Sequence, residues 1–92
     1  MMKVSTKGRY ALRLMVDLGI QGADGSYTSL KDVADRQGIS AKYLEQIVTP
    51  LQRSGLVRSV RGAQGGYRLT RKPEDYSAGE ILRAIEGSFA PL

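Results

Sequence analysis

The sequence has no cysteine, no histidine and no tryptophan, and only one phenylalanine. Without cysteine there are no disulfides, no thiolate nucleophile and no thiolate metal site. Without histidine the usual general base of neutral-pH catalysis and the commonest zinc ligand are missing. Carboxylates alone can still build a hydrolytic site, but no catalytic constellation stands out, so the expectation is a protein that is not an enzyme. No apolar run approaches the roughly 18 residues that a membrane span needs. The opening Met1-Met2-Lys3-Val4-Ser5-Thr6-Lys7 has no signal-peptide apolar core behind it, so the expected location is cytoplasmic.

At 92 residues the chain is expected to form one domain with a modest core. Hydrophobic residues make up 41% and charged residues 25%, which suits a globular domain better than a disordered tail. The net charge is +5, and its distribution is uneven. Lys3, Lys7, Arg9 and Arg13 against Asp17 make residues 1–22 basic. Lys42, Arg53, Arg58, Arg61, Arg68, Arg71 and Lys72 against Glu45 make residues 39–72 more strongly so. Residues 23–38 are slightly acidic, and residues 73–92 are clearly acidic. A localised basic surface is the electrostatic footprint of nucleic-acid binding, although many basic domains bind nothing specific.

Punctuation along the chain predicts the elements. A first helix opens near Ser5 or Thr6 and runs to about Gln21. Leu12, Leu14, Met15, Val16, Leu18 and Ile20 make it apolar on more than one face, as in a helix buried on two sides. Gly22-Ala23-Asp24-Gly25 reads as a loop and Ser26-Tyr27-Thr28 as a short strand. Ser29, with Asp32 three residues on, caps a second helix that ends at Gly38. Ser40 caps a third helix with Leu44, Ile47, Val48 and Leu51 as one stripe, ending at Gly55. Pro50 inside it predicts a kink or a weakened second half. Leu56–Arg61 and Tyr67–Thr70 read as strands around the glycine-rich Gly62–Gly66 tip. Ser77, with Glu80, caps a last helix that carries Ile81, Leu82 and Ile85 inward and ends at Gly87. Two helices joined by a short glycine-containing turn form a helix-turn-helix. The glycine-tipped hairpin after it is a wing. The expected fold is mainly α with a small β-hairpin: one winged helix-turn-helix domain over residues 1–92, with the helix-turn-helix at about 29–55 and the wing at about 56–70.

Three constellations carry the candidate chemistry. Opposite the apolar stripe of the third helix lie Lys42, Gln46, Thr49 and Arg53, flanked by Tyr43 and Glu45. Gln pairs bidentately with adenine, Lys bonds guanine, and Glu accepts from cytosine N4. The N-terminal half of such a helix usually reaches the bases, which adds Ser40. The plainer alternative is a solvated polar face. In the wing, Arg61 stands beside Gly62, Gln64, Gly65 and Gly66, where little side chain blocks approach to a sugar-phosphate surface and arginine suits a narrow minor groove. The alternative is a turn that needs glycine for its dihedrals. A nucleotide-binding loop fits poorly, because the spacing matches neither glycine motif and the loop joins two strands. Third, Thr6 and Lys7 at the start of the first helix suit a phosphate anchor, or simply a cap and a surface lysine.

Five motifs, in order, resemble the Rrf-type family of bacterial transcriptional regulators. They are Ser5-Thr6-Lys7-Gly8-Arg9-Tyr10-Ala11, Ser40-Ala41-Lys42-Tyr43-Leu44-Glu45-Gln46, Gly55-Leu56-Val57, Arg61-Gly62-Ala63-Gln64-Gly65-Gly66-Tyr67 and Ala78-Gly79-Glu80-Ile81. The resemblance runs from about residue 3 to residue 90. Val48-Thr49-Pro50-Leu51 and Arg61-Gly62-Ala63 look most like the cysteine-metabolism branch. The resemblance implies a repressor that binds a palindromic double-stranded DNA operator as a homodimer, third helix in the major groove and wing in the minor groove. Tyr43, Glu45 and Gln46 then fall on base-reading positions and Arg61 on the minor-groove arginine. For the cysteine-metabolism branch it also implies a regulatory partner protein.

Relatives continue into a loop, often with three cysteines that hold an iron–sulfur cluster, and then into a long dimerisation helix. This sequence stops at Pro91-Leu92, so no cofactor and no dimerisation role is carried onto any residue here. The alternative function is a winged-helix module that binds protein or RNA.

Overall fold

Four serines start four helices. The hydroxyls of Ser5, Ser29, Ser40 and Ser77 each accept the backbone N–H three residues on, from Gly8, Asp32, Tyr43 and Glu80, at 3.0–3.1 Å. Each such cap is worth about 0.5–2 kcal/mol over alanine. The computed structural model describes residues 4–63 and 65–87. Its elements are α1 (Thr6–Gln21), α2 (Leu30–Gln37), α3 (Ala41–Arg53), β1 (Val57–Val60), β2 (Gly66–Leu69), a 3-10 turn (Pro73–Asp75) and α4 (Ala78–Gly87). The expected Gln64 contact lies outside the described residues.

The turn between α2 and α3 is as tight as the sequence suggested. Gly38 adopts φ 69°, ψ 32°, a left-handed conformation, and its N–H bonds the Ala34 carbonyl at 2.8 Å. A side chain there would cost strain, so glycine lets α3 start three residues later.

Pro50 does not end α3. α3 runs on through it to Arg53. Proline has no N–H for the Gln46 carbonyl, but only three helical residues follow it, and Leu51 among them is fully buried. Core packing holds the last turn where local hydrogen bonding is weak. Ser54 caps the helix, and Gly55 follows with φ 77°.

β1 and β2 pair antiparallel, Val57 with Leu69, Arg58 with Arg68, Ser59 with Tyr67 and Val60 with Gly66. The short strand expected at 26–28 is only a single bridge, Thr28 to Tyr67, with N–H···O distances of 2.9 and 2.8 Å. The Ser26 N–H is instead taken by the Asp24 carboxylate at 3.0 Å, which curls the chain into a turn.

The core is built from α1, α3 and α4. Leu14, Leu18, Leu44, Ile47, Leu51 and Ile85 are fully buried, with Val33 from α2 and Val57 from β1. Arg36 ties α2 to α1 through a two-pronged bond to Asp17 at 2.7 and 3.2 Å. Ala11, Leu14, Met15 and Leu18 account for the inner side of α1. Its second apolar side is open: Val16 is 62% and Ile20 66% exposed.

Candidate nucleic-acid interface

The stripe that buries Leu44, Ile47, Val48 and Leu51 turns the other side of α3 to solvent. Lys42, Glu45, Gln46, Thr49 and Arg53 are all exposed there. Together with Lys7 from α1 and the ring of Pro50 they line one open groove of about 490 Å3. Three cations and one carboxylate thus border a surface that also holds an amide and a hydroxyl. The mix is suited to an anionic ligand that also presents donors and acceptors, as a DNA groove does. The Thr49 hydroxyl donates back to the Glu45 carbonyl at 2.8 Å, which fixes its rotamer and leaves its lone pairs outward.

Lys7, near the start of α1, borders the same groove as α3, and the next residue, Gly8, lets α1 approach α4. Gly8 is buried, and a Cβ on it would come within 2.8 Å of Leu82 Cδ2. Thr6 is exposed at the first residue of α1, and Ser40 is exposed at the cap of α3. Tyr43 sits differently from its neighbours. It is half-buried, edge-on to Tyr10 with ring centroids 5.8 Å apart and planes at 83°. Arg13 stacks on the far ring, 5.2 Å from the Tyr10 centroid. Tyr43 therefore spends much of its surface inside the domain and is not among the residues lining the groove.

The wing stands next to α3 in the chain and is tied to its end. Gln52 Nε2 donates to Ser59 Oγ at 3.1 Å. Arg61 is exposed just past β1, and Gly62 follows with φ 119°. The Gly65 N–H closes the tip onto the Gly62 carbonyl at 3.0 Å. Gly66 has φ 150°, and a Cβ there would lie 2.3 Å from the Thr28 carbonyl oxygen. The glycine is therefore required by the bridge to Thr28 whatever the tip touches. On the outer face Arg68 donates to the Gly25 carbonyl at 2.9 Å and lies over the Tyr27 ring. At the root of the wing Arg71 and Glu80 form a two-pronged pair at 2.5 and 3.1 Å. The Arg71 guanidinium holds the Glu80 carboxyl below its usual range.

Two members of the surface escaped sequence reasoning. Pro50 forms part of the groove wall, and Gln52 fastens the wing to α3. Both roles depend on contacts that no local spacing announces.

The profile of the Rrf2 family, described as an iron-dependent transcriptional regulator, matches residues 4–92. The chain is 48% identical over 91 residues to the HTH-type transcriptional regulator CymR of Bacillus subtilis (strain 168), covering 99% of this chain and 65% of that protein. It is 42% identical to the protein rrf2 of Nitratidesulfovibrio vulgaris, covering 99% of this chain and 60% of that one. Among solved structures, CymR (YrzC), the global cysteine regulator of B. subtilis, superposes with a TM-score of 0.88 at 47% identity, over 100% of this chain and 70% of that one. The T. potens IscR structure gives 0.84 at 53% identity, over 95% and 63%. The chain thus spans less than two thirds of the length of these curated relatives.

The residues of this segment do not fit an iron site. Neither cysteine nor histidine occurs in it, and among the described residues no three carboxylates gather closely enough to hold a metal. No helix among them is long and apolar enough to cross a membrane. The profile match over nearly the whole sequence, the identity to named regulators and the superposition agree, and the chain belongs to the Rrf2 family of transcriptional regulators.

Proposed function

We propose that this segment is the DNA-reading domain of a cytoplasmic transcriptional repressor that acts as a homodimer on a palindromic operator. α3 enters the major groove. Gln46, Glu45 and Lys42 read base edges, and Tyr43 contributes its exposed edge. Thr6, Lys7, Ser40, Thr49 and Arg53 hold phosphates and set the register. The wing lies over the neighbouring minor groove with Arg61 inserted and the Gly62–Gly66 backbone against the sugar-phosphate wall. The observation that carries this reading is the single groove shared by Lys7 of α1 and the outward side chains of α3, because it joins a phosphate anchor to a base-reading face.

Selection of bound DNA from a random pool with the full-length protein tests the proposal. The enriched sequences should be palindromic. Affinity for them should fall steeply and log-linearly with salt, as counterion release requires. A pool without enrichment, or binding insensitive to salt, overturns it.

A further inference from the structure

Both roots of the wing meet one phenol. The Tyr76 hydroxyl donates to the Leu56 carbonyl, where the chain enters β1, at 2.7 Å. It accepts the N–H groups of Thr70 and Arg71, where the chain leaves β2, each at 3.0 Å. A phenol has one proton and two lone pairs, so this one is saturated. Thr70 Oγ1 lies 3.3 Å away but gives its own proton to the Gly55 carbonyl at 2.7 Å. The ring is held separately. Arg71 stacks over it, 4.8 Å from the centroid, while reaching Glu80 of α4. The ring also lines an apolar cleft of about 370 Å3 with Leu12, Val16 and Ile20 of α1 and Ile81 of α4.

We infer that the Tyr76 hydroxyl is the positioning group that sets the angle of the wing on the domain. The claim about the hinge stands on the hydrogen bonds alone. What that angle serves, the presentation of Arg61, rests on the DNA reading proposed above. Among the described residues, the hairpin is also tied to the body by the Thr28 bridge on the outer edge of β2, and its entry root by the Leu56 N–H on the Leu51 carbonyl of α3 at 3.0 Å. A two-stranded hairpin is marginal by itself, so its direction depends on such ties. Tyr76 joins the entry strand and the exit strand at one point, and so acts as the pivot.

Tyr76→Phe in the full chain removes the hydroxyl and keeps the ring. In the free protein, amide exchange in β1 and β2 should quicken by roughly tenfold while α3 is unchanged, since two amides and a carbonyl lose their partner. On DNA, the preference for an A·T-rich flank should shrink toward that of Arg61→Ala, and the double variant should be no weaker than Arg61→Ala alone, because both act through one contact. Discrimination at the bases read by α3 should stay. Unchanged exchange in the hairpin overturns the inference. So does exchange that quickens equally in every helix, which would mean that the phenol holds the fold and not the wing. Losses of Tyr76→Phe and Arg61→Ala that add in full overturn it as well. Exchange is measured without DNA, so a wild-type chain that fails to bind DNA sinks the functional reading and leaves the hinge to be judged by exchange.

Discussion

α3 and the β1–β2 hairpin are neighbours in the chain and both present basic side chains, yet they are held by different forces. α3 is fixed from beneath by Leu44, Ile47, Val48 and Leu51, all within 1% of complete burial. Truncating a buried leucine of this kind costs about 2–5 kcal/mol, so its outward face is as rigid as the core. The hairpin has strands of four residues. In β1 only Val57 is buried, and Val60 is 46% exposed. Val57, Tyr67 and Leu69 pack on the core at its base, and the rest of its place is set by hydrogen bonds at Thr28, Gln52 and Tyr76. The difference separates two tasks. A base-reading helix needs sub-ångström register, which packing supplies. A wing must follow a flexible backbone, and directional bonds at its root allow that while keeping its reach.

The largest effect should come from adding one carbon to the wing. In Gly66→Ala the new Cβ meets the Thr28 carbonyl oxygen, and φ 150° disfavours any side chain. We expect the bridge to break and stability to fall by about 1–3 kcal/mol. Thermal unfolding gives the stability, and binding to flank and base variants gives the partition. The flank effect should vanish and the α3 base discrimination should survive. Loss of base discrimination as well would show that the two regions are one mechanical unit.

Gln46→Ala tests the other side. The side chain is exposed on a face whose backbone is pinned, so truncation should leave the unfolding midpoint alone. It should remove about 1–3 kcal/mol of discrimination at one base pair. Binding to a cognate site and to its single-base variants decides the matter. An equal loss on every sequence would make Gln46 a phosphate contact.

How much of this was legible in the sequence follows from the range of the forces involved. The caps at Ser29, Ser40 and Ser77, the Gly38 turn and the α3 stripe depend on residues three or four apart and were read correctly, while the choice left open between Ser5 and Thr6 falls to Ser5. Pro50 removes one backbone hydrogen bond, as its chemistry requires, and the burial of Leu51 explains why α3 still runs on to Arg53. The strand at 26–28 shrank because Asp24 competes for the Ser26 amide. Tyr43 fell on the polar side of the helical wheel, but Tyr10 draws it half inside. The meeting of Lys7 with α3 and the convergence on Tyr76 are contacts between distant segments, which periodicity does not encode.

Arg61 sharpens the comparison more gently. A guanidinium in a narrow, A·T-rich minor groove is favoured by the deeper negative potential there. Lysine substitutes less well because its ammonium is more strongly hydrated. We therefore expect Arg61→Lys to be intermediate and Arg61→Ala weakest, with the gap narrowing when the flank is changed to G·C. Affinities on the two flanks at fixed salt test this. Equal losses on both would make Arg61 a simple phosphate contact, and no loss on either would mean that the wing does not touch DNA.

The smallest effect concerns acid. Arg71 lowers the Glu80 pKa chiefly through its hydrogen bond, and the Ser77 hydroxyl on the Glu80 amide helps fix the carboxylate in the first turn of α4. A carboxyl whose folded-state pKa is depressed contributes stability that is fully present above its unfolded value. That contribution is lost as pH falls through the depressed value. Both partners are partly exposed, so the contribution is modest and salt weakens it. Glu80 grips Arg71, and Arg71 adjoins the Tyr76 hinge, so its protonation should loosen the root of the wing while the apolar footing of α3 is untouched. A pH titration followed by amide resonances should show the residues of β1 and β2 shifting below the ordinary glutamate range, at a pH where α3 is still unperturbed. Glu80→Gln should show the loosened hairpin already at neutral pH and lose the pH-dependent step. If the variant and the wild type titrate alike in the hairpin, the pair does not brace the wing, and Tyr76 and Thr28 hold it unaided.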